Sequence, residues 1–103
     1  MTKSQVEELM TRVDCDDRYN YTALVVLVDR KGNHIAHDTE HFNYYSDCTD
    51  WFEGFQEDTQ ERRELLNQVE IDENNKPLYL ENYIIFNDIG KYEVHGCSEI
   101  KEG

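Results

Sequence analysis

Three histidines, His34, His37 and His41, stand close together beside Asp38 and Glu40. On a helix, spacings of three and four put all three imidazoles on one face, a ligand set suited to zinc. The stretch HIAHDTEHF follows a β-branched run and a Gly-containing turn, however, so it reads as a returning strand. On a straight strand His37 and His41 share a face but lie about 13 Å apart, and His34 points the other way. That geometry does not chelate one ion, and no metal is expected. A second pair, His95 and Cys97 in VHGC, shares a face if its strand runs straight, as a Cys–His nucleophile would need. Nothing in the sequence orients that imidazole or supplies an oxyanion site. Cys48 opens a helix, where the N-terminus can lower a thiol pKa. It also falls on the apolar side of that helix, so burial is the expected fate. No phosphate-binding loop, dinucleotide fingerprint, CxxC or nucleophile elbow is present. The expectation is a protein that is not an enzyme and carries no cofactor.

The other residues of note are acidic. The stretch DWFEGFQEDTQERRELL reads as part of one long helix from about Cys48 to Asn67, capped by Ser46 or Asp47. At 100° per residue, Asp50, Glu53, Glu57, Glu61 and Glu64 form a narrow stripe, and Cys48, Trp51, Phe52, Phe55, Leu65, Leu66 and Val69 cluster opposite. Arg62 lies within the apolar sector, where Asp58 can pair with it. Gly54 costs the helix about 1 kcal/mol relative to Ala and has no obvious capping role. Four successive like-charge pairs cost about 1–2 kcal/mol at low salt, and no Lys relieves them. The macrodipole favours Asp50 and Glu53 near the start but not Glu61 and Glu64 near the end. From Asp50 to Glu64 an unbroken helix spans about 21 Å. Its carboxylates stand roughly 5–6 Å apart, comparable to successive phosphates of a nucleic-acid strand, on the order of 6–7 Å. Asp47, and Asp14, Asp16 and Asp17 in an earlier loop, extend the field. Tyr44 and Tyr45, with Tyr19, Tyr21 and Phe42 nearby, edge it with a residue type favoured at interfaces. A solvated outer face would also carry charge, and core completion would also use several of these rings.

Positioning these residues requires a fold, and the totals bound it. The chain has 103 residues, enough for one domain (1–103). It has 23 acids against 10 bases and a formal net charge of −13. Such a chain repels nucleic acid and anionic membranes and seeks basic partners. Seven Tyr, four Phe and one Trp, with dense β-branched runs, argue for a folded core despite that charge. Cys15, Cys48 and Cys97 are odd in number and widely spaced, the start has no apolar signal region, and no apolar run is long enough to span a bilayer. A reducing cytoplasm is therefore the expected home.

Ser4 and Glu7 match a capping box for a first short helix, followed by Val6, Leu9, Met10 and Val13 at helical spacing. YTALVVLV, from Tyr21 to Val28, is a strand without alternation, so it should sit centrally with both faces covered. DRKGN reads as a hairpin turn, with Gly32 and Asn33 suited to positive φ, leading to the more polar strand His34 to Phe42. After the long helix come a short extended piece from Val69, an apolar strand from Leu78 to Phe86, and a return strand from Lys91 to Cys97. Residues 98–103 read as a loose tail. The expected class is α+β: a mostly antiparallel sheet of four or five strands, one short and one long helix on one face, in the order α-β-β-α-β-β.

Two functional expectations follow. One is a small acidic inhibitor, a phosphate-backbone mimic that fills the basic groove of a nucleic-acid-binding protein without binding nucleic acid itself. A phage counter-defence protein acting on a restriction, CRISPR or repair enzyme would have this character. The other is an immunity-type or adaptor protein that recognises one cognate basic partner, such as a nuclease, through specific Tyr and Asp contacts.

Overall fold

The computed structural model describes residues 1–57, 59–68 and 79–100. Its elements are α1 (Lys3–Met10), β1 (Tyr21–Val28), β2 (His34–Phe42), α2 (Tyr45–Gly54), α3 (Gln60–Asn67), β3 (Tyr79–Phe86) and β4 (Lys91–Glu99). The four strands form one antiparallel sheet in the order β2-β1-β3-β4. The expected α+β class and mostly antiparallel sheet therefore hold. The expected short piece at Val69 and the end of the loose tail lie outside the described residues, while Ser98 and Glu99 belong to β4.

β1 is central, and Thr22 to Val28 are all buried. Its residues alternate between two cores. Ala23, Val25 and Leu27 join Leu80 and Ile84 beneath Cys48, Phe52, Phe55 and Leu65 of α2, α3 and their connection. Leu24, Val26 and Val28 join Tyr83 and Ile85 beneath Val6, Leu9 and Val13 of α1 and the turn after it. The helices thus lie on both faces, not on one as expected. A strand that is apolar on both sides must be covered on both sides, and α1 supplies the second cover.

The caps differ from expectation at two places. α1 begins one residue before Ser4: Thr2, not Ser4, is the N-cap. The Thr2 hydroxyl accepts from Gln5 N at 3.2 Å, and Gln5 Oε1 accepts from Thr2 N at 2.8 Å, closing a box two residues earlier than Ser4/Glu7. At α2 the N-cap is Tyr44, which makes no side-chain cap, rather than Ser46 or Asp47. The β1–β2 turn places Gly32 at φ 79°, while Asn33 stays at negative φ and pairs with Asp29 instead.

The largest departure is the long helix, which is two. α2 stops at Gly54, and α3 starts after Thr59. The Thr59 hydroxyl accepts from Arg62 N at 3.3 Å as the N-cap of α3 and donates to Gly54 O, so one side chain closes one helix and opens the next. The break resets the helical phase. On an uninterrupted helix Leu66 would fall in line with Cys48, Phe52 and Phe55. Instead Leu65 is buried at 1% exposure and Leu66 only half-buried.

Candidate partner-binding surface

The end of the sheet where β1 starts is also where β2 and β3 finish, since Tyr21 pairs with Phe42 and with Phe86. The loop from Asp14 to Asn20, the start of α2 and the β3–β4 turn therefore meet there. Asn87 ties them together. Its Nδ2 donates to Asp16 O at 3.2 Å and Tyr19 O at 2.9 Å, and its backbone N donates to Asn20 O at 3.1 Å. Its Oδ1 accepts from the Thr22 hydroxyl at 2.8 Å. With that proton spent, the Thr22 oxygen accepts from His41 Nδ1 at 3.1 Å, which fixes the imidazole tautomer. Asn20 Nδ2 carries the tie on to Asn43 O at 3.0 Å, just before Tyr44. In the sequence Asn87 is one more polar residue between two strands. Its only signal was an amide next to a turn, which is far too common to single out.

The structure brings one group of the expected residues to this end: Asp14, Asp16, Asp17, Tyr44, Tyr45 and Asp47. They are not equivalent. Asp16 is chelated by the Arg18 guanidinium at 2.7–3.2 Å and takes the Arg18 backbone N–H at 3.0 Å. Those bonds from Arg18 hold its pKa down to about 2. Its charge is largely spent on Arg18, whereas Asp14 and Asp17 are exposed and make no ion pair with any described residue. The two tyrosines divide in the same way. Tyr44 is 70% exposed. Tyr45 turns inward: its hydroxyl donates to Glu93 of β4, and its ring meets Tyr21 and His95 edge-on. The bond to Glu93, then burial, pushes its pKa up to about 12. Tyr44 is thus an available contact residue and Tyr45 a strut between α2 and β4.

The second group, Asp50, Glu53, Glu57, Glu61 and Glu64, does not form the single row expected of one helix. Asp50 and Glu53 lie on α2, Glu57 in the break, and Glu61 and Glu64 on α3. All five are exposed, and none makes an ion pair with a described residue. Of the four like-charge pairs of the expected stripe, two remain within a helix, Asp50–Glu53 and Glu61–Glu64, so its repulsive cost falls to about 0.4–1 kcal/mol. Gln60 Nε2 further settles Glu64 Oε1 at 3.0 Å. Arg62 donates to Gln56 O at 3.2 Å across the break. Its expected pairing with Asp58 lies outside the described residues.

The histidine and cysteine geometry is set by two β-bulges. In β2, Leu27 faces Ala36 and Val28 faces His34, so Ile35 is an extra residue. His34 is thereby brought onto the face of His37, contrary to the straight-strand expectation, with His34 Nε2 3.0 Å from His37 Nδ1. His41 is elsewhere, stacked on Tyr19 with ring centroids 5.7 Å apart. Among the described residues no three His, Cys, Asp or Glu side chains group as metal ligands. In β4, Asn82 faces Gly96 and Tyr83 faces Val94, so His95 is the extra residue. That separates the expected His95–Cys97 pair. His95 packs on Phe52 at 5.3 Å on the α2 side. Cys97 stays in register with Glu81, and burial and the Glu81 carboxylate push its thiol up, away from a nucleophile. Cys48 is fully buried, and burial pushes its thiol up to about 11. None of the three cysteines is in a disulfide. No helix among the described residues is long and apolar enough to cross a membrane.

Searches of protein-family models, of curated proteins and of solved structures each return no match for this chain.

Proposed function

We propose that the protein is a small acidic inhibitor that binds the basic, nucleic-acid-binding surface of a target protein, its carboxylates standing in for phosphates. The observation that carries this reading is the outer side of α2, the break and α3. There Asp47, Asp50, Glu53, Glu57, Glu61 and Glu64 are exposed and have no ion pair with any described residue. On a chain whose net charge is −13, this surface repels nucleic acid and attracts Lys/Arg-lined grooves. The mimicry is of charge density on two short segments, not of a straight rod. Free thiols accord with action in a reducing cytoplasm, in the manner of a phage counter-defence protein.

A second reading is favoured by one observation. Tyr44, 70% exposed, projects beside Asp47 at the end of the sheet, a pairing suited to specific recognition of one cognate basic protein such as a nuclease. Capture of partners from source-cell lysate at about 0.1 M and then about 0.5 M salt separates the two, because screening weakens exposed charge contacts. The mimic reading expects a nucleic-acid-binding protein that is released by high salt or by added DNA. A single partner that survives high salt and is lost on Tyr44→Ala shifts the assignment to cognate recognition. Capture of no partner at either salt removes both.

A further inference from the structure

The face opposite α2 and α3 holds a cleft that the acidic surface does not involve. α1 has only eight residues and packs over β1 and β3, so it leaves the β4 side of this face uncovered. The result is an open cleft of about 720 Å³ between α1 and the start of β4, within the size range of small-molecule sites. Ile85, 1% exposed, lies at its base, and Met10 and Tyr92, both half-buried against the same core, form the two walls. Lys3 on the α1 side and Lys91 on the β4 side also line it, and neither makes an ion pair with any described residue. Glu7 is the remaining charge, leaving the lining one unit positive on a chain whose net charge is −13.

We infer that this cleft is a binding site for a small molecule with an apolar body and one anionic group. Ile85, Met10 and Tyr92 would take the apolar body, and Lys3 and Lys91 would reach the anion from opposite walls. The balance of two lysines against Glu7 selects a monoanion over a diphosphate or a dicarboxylate, which would face Glu7 without a third cation. Lys3 and Lys91 are both exposed, so each contributes a modest, salt-screened attraction for the anion while the apolar lining supplies the rest. An aromatic or medium-chain aliphatic carboxylate has this chemistry.

The test uses the full chain and 8-anilinonaphthalene-1-sulfonate, an aromatic monoanion whose fluorescence rises on apolar binding. The expected result is saturable, one-to-one binding at neutral pH, with amide shifts concentrated at Met10, Ile85 and Tyr92. Decanoate should compete. Lys3→Glu and Lys91→Glu should each weaken binding about five- to tenfold, with unchanged cooperative thermal unfolding to show that both variants fold. Met10→Asp, which puts a carboxylate on a half-buried apolar wall, should abolish binding. Non-saturable fluorescence, shifts located elsewhere, or affinity unchanged by both lysine reversals would overturn the proposal. Competition by a dicarboxylate as strong as by decanoate would overturn the assignment to monoanions.

Discussion

The two faces of the sheet are built on different terms. On one, α2 and α3 bury Phe52, Phe55 and Leu65 over the sheet and turn a run of exposed carboxylates outward. On the other, the eight residues of α1 cover β1 and β3 only, and leave an apolar cleft edged by two lysines. The difference shows how one 103-residue chain separates charge. The larger helical layer carries the acidic run, while the cleft beside the smaller one is lined by two lysines against one glutamate.

The most forceful way to break this comparison is to empty the larger core. Phe52→Ala removes a ring that is 2% exposed and touches Trp51 and His95, and should cost about 3–5 kcal/mol in denaturant unfolding. Leu9→Ala on the other face should cost less, about 2–3 kcal/mol, because a short helix can settle into the space. Equal costs would mean that α1 is held as rigidly as α2.

Thr22→Val should cost about 1–3 kcal/mol. It leaves Asn87 Oδ1 and His41 Nδ1 without their shared hydroxyl, at a site that is fully buried. Faster amide exchange in the 14–20 loop would accompany it; a loop unaffected by the change would show that Asn87 is not its anchor.

Smaller effects sharpen the account of the helix break. Thr59→Ala removes the cap of α3 and should lower stability by about 1 kcal/mol. Gly54→Ala should raise it by about 0.5–1 kcal/mol, since an added Cβ meets no atom within 4 Å and the backbone is not left-handed there. A loss of stability at Gly54→Ala would mean that the helix end needs glycine.

The smallest effect is a pH dependence. Burial first, then His37 and Arg12, lowers the pKa of His34 from its ordinary 6.5, although the residue remains exposed. A lowered folded value means that the neutral imidazole is the stabilised form. Its contribution is therefore complete above pH 6.5 and is lost as pH falls through the lowered value. His34→Gln should flatten that part of the stability profile, and an unchanged slope would assign it to other groups.

The strands were legible because their signals are local. The unalternating run Ala23 to Val28 announced a central strand, and the Gly32 turn announced its hairpin. The same run also implied two covered faces, and placing every helix on one face contradicted that implication. The bulges at Ile35 and His95 were not legible, because one extra residue leaves no mark on composition or periodicity. They decide which histidines and cysteines meet. The break at Gly54 to Thr59 did leave signals, a glycine followed by a Thr cap, but the aromatic and acidic periodicity on either side outweighed them. The division of Tyr44 from Tyr45 depends on Glu93, 48 residues away from Tyr45, and only the folded chain reveals it.

The measurement that bears most directly on the acidic surface is the capture experiment repeated with a charge-reversed chain, Asp50→Lys, Glu53→Lys, Glu61→Lys and Glu64→Lys together. All four positions are exposed, so the variant should keep the wild-type circular dichroism and unfold cooperatively. The expected result is that it no longer retains the salt-sensitive, DNA-displaceable partner held by the wild type. Capture of that partner equal to wild type, by a folded variant, would contradict the claim that these carboxylates are the binding surface.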